Sequence, residues 1–359
     1  MFDQLYTIAR NTFIEAVRQP IFVVLIGVGI LLTLLNPQLA AYTLDDDNKL
    51  LIDLGLSTIF LICLMLAAFT ATGVLAHEIE RKTVLTVVSK PVSRPTFVIG
   101  KFLGVGGALA VAFYILSLAL MMSLRHQVQQ TAGDHLDQPV VIFSLLALLG
   151  AAGAATLGNY LYRWVFTSTL TVGLVVGGTL AMVLVLLINK AWAFQSPLTE
   201  LLQNEGERLQ ILVGLILIFE AVLLLAAVAI AASTRLGQIM TLVICVGIFF
   251  LGLISNSLSQ WTNQKLGLTS AQAANLGAFE SFGTLWAADL SLSTRVSLAF
   301  AKLLYLALPN LQFLWPADAI TQGNPFTLGH IATVSVYALF YGSAVLALAI
   351  ILFQKREVG

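Results

Sequence analysis

Charged residues that could bind a partner are concentrated in one short stretch of this sequence. Residues 77–101, HEIERKTVLTVVSKPVSRPTFVIGK, hold five bases and two acids, although only 10% of all residues are charged. Four aliphatic residues, Val84, Leu85, Val87 and Val88, lie between these charges. A small apolar centre with a polar rim is typical of a docking surface for another protein. A basic turn that only contacts lipid head groups is the alternative interpretation.

Glu220 is the second candidate for chemistry, because it lies inside the apolar run ILVGLILIFEAVLLLAAVAI. A charged group in the middle of a membrane helix costs roughly 3 kcal/mol on insertion scales. We therefore expect Glu220 to face a cavity or a partner helix, or to be protonated. It is a candidate for a substrate or proton pathway, and the alternative is a structural hydrogen bond between helices.

Motifs of the common hydrolytic enzymes are absent from the sequence. There is no HExxH, no GxSxG and no pair of acids within one apolar run, so we do not expect an enzyme. The pair Gly100-Lys101 is followed by Phe102 and lacks the first glycine of a phosphate-binding loop. The chain therefore has no nucleotide-binding motif of its own.

Metal binding is not expected either. His126 and His135 flank a short loop with Asp134 and Asp137, but their spacing matches no regular ligand pattern. The two cysteines, Cys63 and Cys245, both lie in apolar runs, which excludes a disulfide framework and favours small core residues.

The composition places these residues in a membrane protein. Of 359 residues 58% are hydrophobic and 10% charged, against roughly 45–50% and 25% in soluble domains. A soluble fold of this length could not keep so much apolar surface away from water. The formal net charge is zero, and nothing in it indicates nucleic acid. The predicted fold class is an all-α polytopic membrane protein.

Eight apolar runs are long enough to cross about 30 Å of hydrocarbon. They are residues 21–41, 51–76, 97–123, 139–162, 165–189, 209–233, 236–255 and 331–353. Eight crossings put both termini on one side. A cytoplasmic N terminus places on that side Arg10, Arg18, Arg81, Lys82, Lys90, Arg94, Lys101, Arg163, Arg235, Lys355 and Arg356, which satisfies the positive-inside rule for the plasma (inner) membrane.

Two regions are expected to lie at the membrane surface. Residues 1–20 have apolar positions on one helical face and polar positions on the other, and Pro20 supplies a break before the first span. Residues 256–330 form an extracytoplasmic segment in the predicted topology. Its apolar run Val296–Leu308 is too short to span, so we interpret it as a re-entrant or interfacial helix.

Residues 77–96 join the second and third predicted spans on the cytoplasmic side. Helix is expected to continue to about Lys82, and the β-branched run that follows lowers helix propensity. Pro91 and Pro95 then reverse the chain, and Pro95 suits the first turn of the third span. The result is a compact charged element with aliphatic residues available to dock.

The order of residues in this loop resembles the cytoplasmic loop of ABC-2-type ABC transporter permeases. The matching residues are Glu78, Glu80, Arg81, Thr83, Leu85, Pro91, Val92, Ser93, Arg94, Gly100 and Lys101. The N-terminal helix, the turn Ala232–Arg235, the segment Leu308–Asn310 and the final Phe353–Glu357 follow in the same order as in that family. Eight spans exceed the six that are usual, and the pair around Arg163 looks like an inserted hairpin.

The resemblance implies one ABC-2-like transmembrane domain over residues 1–359 that acts as the permease of an exporter. In that family the loop is a coupling helix that sits in a groove of a separate cytoplasmic ATPase. The implied coupling residues are Glu78, Glu80, Arg81, Lys82, Thr83, Leu85, Val87, Pro91, Ser93 and Arg94. Two ATPase subunits, which bind ATP and Mg, and a second permease subunit, identical or not, are the implied partners in the bilayer. This chain itself is expected to bind no cofactor.

Two other functions compete with this one. An ion-coupled secondary transporter would use Glu220 to carry the coupling proton, although the sequence shows no internal repeat of the kind such transporters contain. An ATPase-driven membrane anchor or mechanical transmitter would act on an extracytoplasmic assembly through residues 256–330. The cargo is not specified by the sequence.

Overall fold

The protein is built from helices, and each of the eight predicted spans coincides with one. The computed structural model describes residues 2–41, 47–80, 93–128, 136–197, 207–268, 283–284, 286, 291–323 and 326–354, with only the backbone for 75–80 and 207. In chain order the helices are α1 Phe2–Arg18, α2 Pro20–Ala40, α3 Asp47–Glu80, α4 Arg94–His126, α5 Gln138–Tyr162, α6 Phe166–Leu187, α7 Glu207–Ser233, α8 Gln238–Lys265, α9 Leu292–Ala307, α10 Ala317–Thr321 and α11 Leu328–Gln354, with a 3₁₀ turn at Leu311–Leu314. The described residues contain no β-strand.

The break between α1 and α2 falls where the sequence predicts it. Gln19 is extended and Pro20 occupies the first turn of α2, where a missing N–H is tolerated. Thr12, Ala16 and Val17 of α1 are buried. Phe2 at the start of the same helix is 87% exposed, so α1 is most deeply buried in its second half.

Helices α3, α4 and α7 form the centre of the main compact unit, residues 1–242 and 316–359. In the most apolar 18-residue stretch of α7, 67% of the residues are buried in the protein, whereas in that of α5 17% are buried. The largest fully enclosed side chains come mainly from α3 and α4: Leu51, Ile52, Leu56, Ile59, Leu64, Leu66, Leu109, Leu116 and Leu120. Helix α5 has apolar residues on all its faces, and most of them face outward, as expected for a helix in contact with lipid.

Helices α5 and α6 form a peripheral hairpin that turns at Arg163. Small residues of the two helices meet in it. A Cβ on Gly173 would lie 2.9 Å from the Cβ of Ala151, and Gly177 similarly faces Ala147. Small residues at such positions let membrane helices approach closely. Gly150 and Gly153 instead face open space, so they do not pack within the described part of the chain.

A second compact unit comprises residues 243–315 and overlaps the segment predicted to be extracytoplasmic. Within it, the carbonyl oxygen of Pro309 lies 2.7 Å from where a Cβ on Gly252 would stand, and the rings of Phe249 and Trp315 are 6.1 Å apart. Helix α8 ends at Lys265, ten residues later than the predicted span.

Nine stretches of the described chain are long and apolar enough to span a membrane, one more than predicted. The ninth, Leu292–Thr321, qualifies only when α9, the 3₁₀ turn and α10 are taken together. Helix α9 alone has 16 residues, about 24 Å at 1.5 Å per residue, which is short of the roughly 30 Å of hydrocarbon. The interruption around Pro309 explains why the sequence pattern falls below a full span.

Candidate functional site

The structure describes only the two flanks of the predicted coupling loop. Glu78 and Glu80 belong to the last turns of α3, and Ser93 and Arg94 begin α4. The remaining predicted coupling residues lie outside the described residues: Arg81, Lys82, Thr83, Leu85, Val87 and Pro91.

Ser93 and Pro95 fix the start of α4. The Ser93 Oγ accepts a hydrogen bond from the Thr96 backbone N–H at 3.3 Å, which makes it the N-cap of the helix. Pro95 stands in the first turn, as predicted, where its missing N–H leaves no bond unmade. These two residues set the direction from which the loop enters α4, and they thereby position Arg94.

Arg94 and Arg235 together bind the C-terminal end of α11. The Arg94 Nη1 donates to the Gln354 carbonyl oxygen, and the Arg235 Nη2 donates to the Leu352 carbonyl oxygen, both at 2.9 Å. The last carbonyls of a helix have no partner within it and carry a partial negative charge. Both arginines therefore stabilise the end of a helix that is distant from them in sequence.

The turn that carries Arg235 is tied to the end of α7. The Ser233 and Thr234 hydroxyls are buried and donate to carbonyl oxygens of the last turn, at 2.9 and 2.7 Å. Beside it, the rings of Phe97 and Phe353 stack with centroids 5.5 Å apart. Three segments that the family resemblance singled out thus meet at one end of the main unit, which we call the Arg94 end.

Helix α1 lies against the same end of α4. A Cβ on Gly100 would stand 2.7 Å from the Ile8 side chain, and one on Gly104 would stand 2.6 Å from the Ala9 carbonyl oxygen. Between these glycines, the buried Lys101 places its Nζ 4.0 Å from a Glu15 carboxylate oxygen and 5.5 Å from the Phe97 ring centre. A buried ammonium needs such compensation. The Gly-Lys pair is therefore a helix-packing element.

Glu220 connects α7 to α11 in the middle of the main unit. Its Oε1 accepts a hydrogen bond from the Ser335 Oγ at 2.6 Å. Its Oε2 is buried and has no hydrogen-bond partner among the described residues. The bond to Ser335 is a hydrogen bond between two helices, which is the structural role considered for Glu220 from the sequence. The second oxygen is a place where a proton or a ligand donor could bind.

The opposite end of α4 carries an ion pair that sequence reasoning missed. The Arg125 Nε donates to the Asp137 Oδ2 at 3.2 Å and its Nη2 donates to the Ile188 carbonyl oxygen at 2.6 Å. Asp137 also caps α5, because its Oδ1 accepts from the Val140 N–H at 3.2 Å. We call this region the Arg125 end. The available signal was a base at the last turn of one span and an acid at the N-cap of the next.

This pairing bears on the metal site considered from the sequence. The carboxylate of Asp137 is used by Arg125 and by the N-cap bond, while Asp134 and His135 lie outside the described residues. Among the residues whose positions are described, no three His, Cys, Asp or Glu side chains group together as metal ligands would.

The sequence matches no protein-family model and no curated protein sequence.

Proposed function

We propose that this chain is the membrane-spanning permease subunit of an ATP-driven ABC exporter of the ABC-2 type. It binds no ATP itself and takes its energy from two cytoplasmic ATPase subunits that use ATP and Mg. A second permease subunit completes the assembly in the plasma (inner) membrane, with both termini of this chain in the cytoplasm. The all-helical, multi-pass architecture of the chain supports this assignment.

One observation carries the proposal: the predicted coupling loop is joined on both sides to long helices of the packed centre. Helix α3 has 34 residues, about 51 Å at 1.5 Å per residue, which exceeds the roughly 30 Å needed to span. Its last turn carries Glu78 and Glu80 and therefore extends beyond the apolar run, which ends at residue 76. On the other side α4 begins at Arg94, in a turn that Ser93 caps.

This connection suits the transmission of force. A push on residues 81–92 would act directly on α3 and α4, which pack on each other and on α7. The Arg94 contact passes the movement to the end of α11, and the Gly100 and Gly104 contacts pass it to α1. Rigid-body rocking of packed helices about a fixed region is a known way to alternate access across a membrane.

The test is copurification of the chain with its ATPase from membranes. Leu85→Asp and Val87→Asp would place an unpaired charge in the apolar centre of the docking surface, so we expect loss of the ATPase and of coupled ATP turnover. Arg81→Ala and Lys82→Ala change the polar rim and should cost about 1 kcal/mol or less. Normal membrane insertion of all four variants is the control. Retention of the ATPase by both Asp variants would exclude residues 78–94 as the coupling site.

Glu220 supports a second candidate, the ion-coupled transporter, because one of its buried carboxylate oxygens has no hydrogen-bond partner among the described residues. Glu220→Gln keeps an acceptor for Ser335 but removes the proton-binding group. In the ABC exporter, transport should remain dependent on ATP and change by less than about tenfold. If the unmodified chain transports without ATP and Glu220→Gln abolishes that transport, the proton-coupled function replaces our proposal.

A third candidate is the ATPase-driven anchor or mechanical transmitter, which would move no solute. The compact unit of residues 243–315 is the observation that favours it, since a separate unit could hold an extracytoplasmic partner. Deletion of residues 269–290 distinguishes the two. An exporter should keep its ATPase partner and lose at most part of its transport, whereas an anchor should lose its extracytoplasmic partner.

A further inference from the structure

An apolar cleft lies between α1, α4 and α6, and the proposed coupling mechanism does not use it. Its volume is about 350 Å³, within the roughly 300–1,000 Å³ of ligand pockets. Its walls include Val17 of α1, Val111 of α4, and Val172 and Val175 of α6. Arg18, the last residue of α1, is the only charged residue among those that line it in the described part of the chain.

The position of Arg18 shows at which level of the membrane the cleft opens. Its carbonyl oxygen accepts a hydrogen bond from the Thr167 Oγ1 at 3.2 Å, and Thr167 is the second residue of α6. Pro20, two residues after Arg18, begins α2. Arg18 therefore lies where two membrane helices begin, which is the level of the lipid head groups. The lining residues from Ser168 to Val175 extend about 10 Å from there along α6, toward its apolar middle.

The two hydroxyl groups in the wall, those of Ser168 and Thr171, have no free proton to donate to a ligand. The Ser168 Oγ donates to the Val165 carbonyl oxygen at 3.0 Å, and the Thr171 Oγ1 donates to the Thr167 carbonyl oxygen at 2.8 Å. Because both hydroxyl protons are used within α6, the cleft beyond Arg18 presents a surface that suits hydrocarbon.

The charge at the mouth of the cleft is positive. The guanidinium of Arg18 has no hydrogen bond or ion pair to any of the described residues, and Arg18 is exposed. Glu15 and Arg18 both line a second, more open cavity of about 540 Å³, which shares Ile14 and Arg18 with the cleft. The Glu15 carboxylate lies 4.0 Å from the Lys101 Nζ, so a second base compensates its charge. The guanidinium of Arg18 is left to bind an anion.

We propose that this cleft binds one anionic phospholipid, with its phosphate on Arg18 and one acyl chain between α4 and α6. A guanidinium matches a phosphate through two parallel hydrogen bonds. Basic pockets between membrane helices are known sites for anionic head groups. The bound lipid would connect α1, the central helix α4 and the peripheral hairpin. The inference depends on the membrane location of the chain and not on its coupling to an ATPase.

The experiment measures which lipid stays on the purified full-length chain. The protein is equilibrated with vesicles of equal parts phosphatidylglycerol and phosphatidylcholine, extracted in mild detergent and examined by native mass spectrometry. We expect the unmodified chain to retain one phosphatidylglycerol in clear preference to phosphatidylcholine. Arg18→Gln should lower this retention about tenfold, whereas Arg18→Lys should keep most of it. The control Arg163→Gln removes an exposed base that does not line the cleft, and it should have no effect.

A second pair of variants tests the acyl-chain part. Val175→Phe fills the cleft and should reduce lipid retention, whereas Val176→Phe changes a neighbouring residue that is 53% exposed and lies outside the cleft. Gel filtration checks that each variant is folded. Equal retention of both lipids, or unchanged retention in Arg18→Gln and Val175→Phe, would overturn the proposal. Displacement of the lipid by inorganic phosphate alone would assign the site to small anions and would also overturn it.

Discussion

The two ends of α4 are held by arginines in opposite ways. Arg125 is 5% exposed and pairs with the fully buried Asp137, whereas Arg94 is exposed and donates to a backbone carbonyl at the end of α11. Breaking a buried ion pair leaves a desolvated charge, but an exposed hydrogen bond can exchange with water at little cost. The Arg125 end is therefore fixed, and the Arg94 end can release and re-form its contacts.

This difference agrees with the roles that the proposed mechanism gives to the two ends, movement at the Arg94 end and a fixed support at the Arg125 end. The Arg94 end continues into the predicted coupling loop, so in the exporter that we propose its contacts must allow movement. The Arg125 end joins α4 to both helices of the peripheral hairpin through Asp137 and Ile188. A helix that is fixed at one end and adjustable at the other can pivot. Substitutions at three places test this comparison, in order of decreasing effect.

Asp137→Asn should have the largest effect on stability. Asparagine keeps an oxygen for the N-cap bond to Val140 but leaves the buried Arg125 without its carboxylate. We expect the free energy of unfolding to fall by about 3–5 kcal/mol, as measured by denaturant unfolding of the purified chain. The double variant Arg125→Met with Asp137→Leu should recover much of this loss. A denaturant unfolding curve for Asp137→Asn equal to that of the unmodified chain would show that the Arg125 end is not fixed by this ion pair.

Gly104→Ala should have an intermediate effect at the Arg94 end. The added Cβ would collide with Thr12 and stand 2.6 Å from the Ala9 carbonyl oxygen, so α1 would have to move. Overpacking of this kind costs roughly 1–3 kcal/mol, and α1 should become more sensitive to protease. The matched control is Gly150→Ala, where the Cβ meets no atom within 4 Å. That substitution should be neutral or stabilise by up to about 1 kcal/mol.

Arg94→Ala and Arg235→Ala should have the smallest effect on stability. Each removes one exposed hydrogen bond to the end of α11 and should lower the free energy of unfolding by about 1 kcal/mol or less. Their effect on coupling should be larger, because the end of α11 would no longer follow α4. ATP turnover of the assembled complex checks this. A loss of stability comparable to that of Asp137→Asn would contradict the pivot.

Local signals in the sequence account for most of the helix positions. Pro20 and Pro95 predict where α2 and α4 begin, and the structure places both prolines in the first turn of their helices. Each of these starts depends on a few adjacent residues, which is why it can be predicted. The end of α8 was predicted ten residues too early, because the polar residues after Ser255 resemble a loop although they continue the helix to Lys265.

The candidate site was predictable only in part, because its contacts join residues that are not adjacent in the sequence. The sequence identified Arg94 and Glu220 as unusual residues, but not the atoms they contact. The partner of Glu220 is 115 residues away and that of Arg94 is 260 residues away. The ion pair between Arg125 and Asp137 was missed although only 12 residues separate them. The prediction treated Asp137 as part of a loop, and its burial depends on how the end of α4 packs against the start of α5 and the end of α6.

The sequence by itself determined that the chain crosses a membrane repeatedly as helices, since apolar runs of this length must satisfy their backbone hydrogen bonds internally in hydrocarbon. It also determined where most of these helices begin, because caps and prolines act within one turn. Only the tertiary structure decided which polar groups are paired, which glycines are contact points and which face open space. These properties depend on side chains that are brought together from distant parts of the chain, and the period of an apolar run does not specify which helix lies beside it.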